Sequence, residues 1–189
     1  RRQRQMCIRD RIYVTIIAGL IAVSAQFYYS FHVEPAWQER AARQVEVYYN
    51  KEVASNELLI NEINEAERFV YFAIYTFTRQ DIKDALIGAK YRGVEVRRVM
   101  DKKQSTTLDI QESIVKDLQQ AGIPIAFNDH SSIMHLKTLV TEKSYFTGSF
   151  NWTASGTDRN DEIIEIGRDE ELRLKHQNVI ETLLYKYSL

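Results

Sequence analysis

From residue 45 onward, short apolar runs alternate with stretches whose apolar positions recur every three or four residues. VEVYYN (45–50) alternates β-branched and aromatic side chains and predicts a strand. Leu58, Leu59, Ile60 and Ile63 then fall at helical spacing through SNELLINEINEAE, with Ser55 or Asn56 as the expected N-cap. RFVYFAIYTF (68–77) is the long apolar run of a strand covered on both faces. Thr78 with Asp81 reads as a box-like cap for a helix carrying Ile82, Ala85, Leu86 and Ala89, which Gly93 ends. VEVRRVM (94–100) predicts a third strand, DIQESIVKDLQQAG (109–122) a helix closed by Gly122, and IPIAFN (123–128) a fourth strand. LKTLVTEKSYFTG (136–148) predicts a tight hairpin, DEIIEIG (161–167) another strand, and Asp169 to about Tyr187 a closing helix. Strands alternating with helices imply an α/β domain with a mixed, largely parallel central sheet and helices on both faces. Sheets of that kind often bind ligands at the carboxyl ends of their strands.

The N-terminal pattern differs. Residues 12–31, IYVTIIAGLIAVSAQFYYSF, carry no charge and are long enough for a membrane-spanning helix of about 20 residues. Tyr13, Phe27, Tyr28, Tyr29 and Phe31 stand near its ends, as interfacial aromatics do. Three readings stay open: a permanent anchor, a secretory signal cleaved near Val23-Ser24-Ala25, and a buried helix apolar on all sides. With either of the first two, the Arg-rich flank keeps the N-terminus cytoplasmic and places the body outside a bacterial inner membrane, or in the periplasm after cleavage. That flank, residues 1–11, also resembles adapter sequence read as protein, a reading under which the orientation argument lapses. Residues 32–44, HVEPAWQERAARQ, form an expected linker, and the body is expected to run from 45 to 189.

Composition changes this picture in one respect. The 189 residues sum to a net charge of −1, but residues 1–11 hold five Arg and one Asp, leaving 20 basic against 25 acidic side chains in the rest. A basic leader thus precedes an acidic body. A hydrophobic fraction of 44% excludes disorder, and the lone Cys7 excludes an internal disulfide or a cysteine-rich zinc site.

Candidate chemistry is concentrated late in the chain. His135 and Lys137, two apart on the first hairpin strand, face the same side, so a nucleophile or proton carrier stands beside a fixed cation. Gly148 lets the backbone approach closely, while Ser149 and Asn151 can donate hydrogen bonds to phosphate oxygens. Glu162 could accept a proton from the other imidazole nitrogen, as the third member of a catalytic triad does.

This constellation resembles the phospholipase D superfamily, marked by His-x-Lys-x4-Asp with a downstream Gly-Ser followed by Asn. It is similar to the small single-motif members, the bacterial Nuc-type endonucleases and the Zucchini-like mitochondrial cardiolipin hydrolases. Tyr75-Thr76-Phe77-Thr78, Asp81-Ile82, Ala85-Leu86, Ala89-Lys90 and Arg92-Gly93-Val94 look like the stretch that precedes the motif there. Two departures stand out: Glu142 replaces the family's Asp, and five residues rather than six separate it from Gly148. The family's Asp is largely structural, so activity is expected to survive.

What the resemblance implies is specific. Two His-x-Lys motifs surround one phosphate in the family, and this chain has one, since His32, His130 and His176 lack Lys two positions on. A homodimer with the active site on its two-fold axis is therefore expected. One His135 attacks phosphorus, the partner's His135 serves as acid and then base, and Lys137, Ser149 and Asn151 stabilise the transition state. No metal or cofactor is required. The expected function is a phosphodiesterase acting on phospholipid, with a nuclease and a degenerate membrane-tethered binding module as alternatives.

Other features have plainer readings beside the functional ones. Phe150, Trp152 and Tyr145 suit either a substrate groove or the core. Residues 79–103, with eight basic against four acidic side chains, suit either a solvated face or a rim that attracts polyanions.

Overall fold

A computed structural model describes residues 2–33, 45–128 and 130–187. The expected linker, from residue 34 on, lies outside the described residues. The chain divides into two units, residues 1–44 and 45–189.

The first unit is one helix, α1 (Arg2–Tyr28), extended by a π-helical turn at Tyr29–Val33. Within it Tyr13–Phe31, 19 residues of mean hydropathy 1.5, is long and apolar enough to cross a membrane. At 1.5 Å per residue it spans roughly 28 Å, close to the roughly 30 Å hydrocarbon thickness of a bilayer. Its side chains are unburied, unlike those of a core helix.

The second unit is built on seven strands in the order β1-β7-β6-β5-β2-β3-β4. They are β1 (Val45–Tyr49), β2 (Phe69–Ile74), β3 (Glu95–Asp101), β4 (Ile125–Asn128), β5 (Lys137–Thr141), β6 (Tyr145–Gly148) and β7 (Ile163–Gly167). The helices between them are α2 (Ser55–Glu65), α3 (Gln80–Tyr91), α4 (Lys102–Thr107), α5 (Asp109–Gln120), α6 (Ala154–Asp158) and α7 (Glu170–Tyr187). The sheet is mixed and helices cover both faces, as expected, but its parallel part is smaller than expected. Only β2–β3 and β3–β4 pair in parallel, and the other four pairings are antiparallel. The reason is local: the 136–148 hairpin inserts beside β2, and β7 and β1 pair antiparallel outward from it, with β1 reaching β2 through α2.

Alternation along β2 explains the two layers. Val70, Phe72 and Ile74 point into a core shared with Leu59 and Ile63 of α2, Ile82 and Leu86 of α3, and Ile114 and Leu118 of α5. Tyr71 and Ala73 point the other way, toward Ile180 and Leu184 of α7. A strand covered on both faces reads as a continuous apolar run.

Three helix starts differ from expectation. α2 begins at Ser55 after Ala54 and α3 at Gln80 after Arg79, neither with a side-chain cap. Asp81 is instead bonded by Arg79 and by Asn56 Nδ2 at 2.9 Å, tying the two helix starts together. Short α4 was not legible in the sequence: Asp101 at the end of β3 caps it, its Oδ1 accepting from Gln104 N at 2.9 Å.

Candidate active site

The carboxyl end of β2, the start of β5, the end of β6 and the start of β7 lie at one end of the sheet. β2 and β5 run antiparallel with Ile74 opposite Lys137, and Thr138 faces Thr147 on β6, so one step further along that ladder sets Lys137 beside Gly148. Gly148 in turn faces Ile164 of β7. Four segments distant in sequence thereby converge on one point.

At that point Lys137 is buried, only 6% exposed, while His135 is open to solvent. The ammonium Nζ lies 3.2 Å from His135 Nε2 and donates to the His135 carbonyl oxygen at 3.0 Å. An ammonium has only donors, so a charged Lys137 meets the unprotonated ring nitrogen and leaves the imidazole proton on Nδ1. No carboxylate forms an ion pair with Lys137 among the described residues. Burial pushes the Lys137 ammonium below the ordinary lysine value, and the negative charge of Glu162 opposes that shift.

Gly148 has φ +146, and a Cβ there would stand 2.1 Å from the Ile163 carbonyl oxygen. Its lack of a side chain lets Ser149 N reach Ile163 O at 3.0 Å and brings the serine hydroxyl onto Glu162, to which it donates. Glu162 also accepts from Asn160 Nδ2 at 3.1 Å, and its backbone N–H donates to Asn50 Oδ1 at 3.0 Å. The expected bond from the His135 imidazole to Glu162 is therefore not formed within one chain; Ser149 and Asn160 occupy the carboxylate. Asn151 follows at the same edge with a buried Oδ1 that has no partner among the described residues.

Glu142 lies at the opposite end of β5 from Lys137. Its carboxylate accepts the backbone N–H groups of Glu67 at 2.9 Å, Arg68 at 3.2 Å and Phe69 at 3.3 Å, clamping the hairpin turn to the entry of β2. Burial raises its pKa, but these N–H bonds outweigh burial and hold it below the ordinary glutamate value. The position fastens the fold rather than facing the chemistry.

The aromatics quoted from the sequence are core. Phe150 and Trp152 pack with Phe72 and Phe77 in the larger layer, and Tyr145 stacks on His176 beneath α7. Within the basic stretch 79–103, Arg79, Lys83 and Arg97 pair with Asp81, Asp84 and Glu95, and Arg98 is wholly buried, so half of its eight basic groups are not free surface charges. Lys102 and Lys103 remain beside Asn128, His130 and Ser132 in a recess of about 360 Å³. The backbone of Met134, one residue before His135, is tied to that side by its N–H bond to Asp101 at 2.9 Å.

One neighbour of the site was quoted in the sequence but given no role. The Tyr75 ring lies 4.7 Å from the His135 ring, with Lys137 Nζ 5.4 Å from its centroid. Its places in the apolar run 68–77 and in the stretch that resembles the family's segment before the motif were the signals it carried.

Residues 59–184 match the family model described as "Cardiolipin synthase, PLD-like domain". A "Phospholipase D" of Rickettsia conorii is 32% identical over 135 residues, covering 71% of this chain and 66% of that protein. A "Mitochondrial cardiolipin hydrolase" of Chlamydomonas reinhardtii is 27% identical over 136 residues, covering 71% of this chain and 60% of its own length. The chain thus spans slightly less than two thirds of these curated relatives. Among solved structures, Nuc of Salmonella typhimurium, a phospholipase D family member, superposes with a TM-score of 0.69 at 27% identity, covering 75% of this chain and 93% of Nuc.

Proposed function

The chain belongs to the phospholipase D superfamily, through its family of PLD-like domains, and on that footing we propose that it is a metal-independent phosphodiesterase acting through a phosphohistidine. The observation that carries this reading is the 3.2 Å approach of the buried Lys137 ammonium, unpaired with any carboxylate among the described residues, to His135 Nε2 at an open end of the sheet. A phosphate oxygen placed there would take the ammonium and free the Nε2 lone pair for attack. A P–N bond then forms as the P–O bond to one alcohol breaks. The departing oxygen takes a proton from the partner subunit's His135, and that imidazole next receives a proton from the water that hydrolyses the P–N bond. Lys137 and Asn151 are the donors toward the pentacoordinate phosphorus, and the Ser149 hydroxyl joins them by turning its one O–H away from Glu162, whose carboxylate supports the charge of Lys137.

Each chain contributes one His135, so the reaction needs a homodimer with the site on its two-fold axis. A phospholipid is the favoured substrate. Relatives named as phospholipase D and cardiolipin hydrolase support it, and an anchor at Tyr13–Phe31 would hold the site close to a bilayer, whether the domain lies outside the cytoplasm or is exported. The acidic body is also poorly suited to DNA. The second reading, a nuclease, is favoured by the recess holding Lys102, Lys103 and His130 beside the motif.

The test is the full chain in EDTA, offered cardiolipin or phosphatidylcholine vesicles and single-stranded DNA in parallel, beside His135→Asn. Lipid turnover lost in the variant supports the reading. Cleavage of DNA alone selects the nuclease, activity on neither selects a binding module, and turnover unaffected by His135→Asn removes the nucleophile. Specific activity that does not fall on dilution below the dimer's dissociation range removes the shared site.

A further inference from the structure

Tyr75 sits on the first turn after β2 with every fixed group around it engaged. Its backbone N–H donates to Leu136 O at 2.9 Å, joining it to the residue between His135 and Lys137. Its carbonyl oxygen accepts from Gln111 Nε2 at 3.2 Å, and its hydroxyl accepts from Gln104 Nε2 at 2.8 Å. Gln111 is fully buried and is itself held, its Oε1 accepting from Phe77 N at 2.8 Å and its Nε2 also reaching Ser105 Oγ at 3.2 Å. Two amides from α4 and α5 thus hold Tyr75, Gln104 at its hydroxyl and Gln111 at its backbone carbonyl. No apolar packing need requires polar anchors of that kind, since the core layer beneath is already closed by Phe72, Phe77 and Trp152.

The fixed ring has two neighbours. His135 lies against it at 4.7 Å between centroids with a 59° tilt, and Lys137 Nζ stands 5.4 Å from its centre. His135 is otherwise exposed, and its ring has only the Lys137 ammonium as a hydrogen-bonding neighbour among the described residues. An exposed imidazole without a packed wall rotates among rotamers on the picosecond to nanosecond scale. In-line attack on phosphorus instead needs the lone pair held in one direction, and a displacement of about 1 Å can cost about a hundredfold in rate.

We propose that Tyr75 is the positioning residue of the site: anchored by Gln104 and Gln111, its ring is the wall that sets the rotamer of His135 and attracts the Lys137 ammonium over its face. The inference rests on His135 being the nucleophile. It adds a polar relay from α4 and α5 to the reacting imidazole, in which the hydroxyl of Tyr75 transmits the position of Gln104 to the ring.

The experiment measures kcat and KM of the full chain on bis(p-nitrophenyl) phosphate for Tyr75→Leu, Tyr75→Phe, Gln104→Leu and the Tyr75→Phe/Gln104→Leu pair, with thermal unfolding as the fold control. Tyr75→Leu is expected to lower kcat about a hundredfold with KM within about threefold. Tyr75→Phe keeps the wall and loses its anchor, for an expected loss of roughly three- to tenfold. Gln104→Leu is expected to match it, and the pair to be no worse than either single change, because both remove the same bond. A folded Tyr75→Leu with wild-type kcat, or a pair whose losses multiply, overturns the inference. Should Tyr75→Leu fail to fold, the two ring-preserving variants and their pair still decide it. His135→Asn separates the two levels: if it retains turnover the whole site is misassigned, whereas if it is inactive while the Tyr75 series is flat, only the positioning role falls.

Discussion

The Lys137 ammonium lies 3.2 Å from His135 Nε2 with no carboxylate paired to it among the described residues. Such an arrangement leaves a cation available to a phosphate and an imidazole nitrogen with its lone pair exposed once the phosphate arrives. Lys137→Met should therefore lower kcat by about 10²–10³-fold, the scale of losing one preorganised transition-state donor. Lys137→Arg should not restore it, because the planar guanidinium cannot occupy the same compact position. Steady-state kinetics on a soluble phosphodiester measure both.

The pH profile should carry the mark of burial at Lys137. Its pKa lies below the ordinary lysine value of 10.5, so the alkaline limb of kcat/KM should fall before that pH. Glu162 raises the Lys137 pKa, so Glu162→Gln should move that limb to still lower pH in addition to releasing Ser149. The stability sign runs the same way. An unfolded chain binds the Lys137 proton more readily than the folded one, so this group's contribution to stability increases as pH rises from the folded to the unfolded pKa.

Glu142 should separate stability from chemistry. Glu142→Ala leaves three backbone N–H groups of the α2–β2 link without their acceptor and should cost about 1–3 kcal/mol by denaturant unfolding, while kcat of the folded fraction changes little. Because the folded pKa of Glu142 is depressed, its stabilisation is present above the unfolded glutamate value and is lost as pH falls through the folded one. The difference in stability between wild type and Glu142→Ala should therefore shrink in acid.

Arg98 offers a test in the opposite direction. It is wholly buried on β3, donates once to Val115 O at 3.3 Å, and leaves Nε and Nη1 without partners among the described residues. Burial pushes its pKa down to about 9. Arg98→Met keeps most of the volume and removes the unpaired cation, so the unfolding temperature should rise, as replacement of buried charge by apolar groups often does. A lower unfolding temperature would mean that the cation contributes something its contacts do not reveal.

Much of the fold was legible because its signals are local. The run 68–77 announced a strand covered on both faces, and the glycines at 93 and 122 marked the ends of α3 and α5 through their φ of +90 and +75. Direction of pairing was less accessible. An antiparallel insertion beside β2 leaves no trace in the periodicity of either strand, so the sheet is less parallel than the alternation of strands and helices implied. Helix α4 escaped for a similar reason: KKQSTT has no apolar stripe, and its start depends on Asp101 at the end of a strand.

The site divides along the same line. Strand period predicted that His135 and Lys137 share a side, and the two do meet, but His135 lies two residues ahead of β5 rather than on it. The requirement for glycine at 148 was likewise readable as a need for close approach, although the atom it approaches, Ile163 O, could not be named. The partner of Glu162 was not readable. The triad reading gave it the imidazole, but the turn through Gly148 delivers Ser149 to it first. Tyr75 was invisible in role because its importance depends on Gln104 and Gln111, 29 and 36 residues further along the chain on α4 and α5.

The sequence by itself thus determined most of the elements, the pairing of His135 with Lys137 and the count of one His-x-Lys motif, all properties of residues close along the backbone. Tertiary structure decided which groups meet across that distance: Glu162 with Ser149, Glu142 with the entry to β2, and Tyr75 with His135. The physical reason is that hydrogen bonds and ring contacts act over a few ångströms, and only the packed sheet brings these segments within that range.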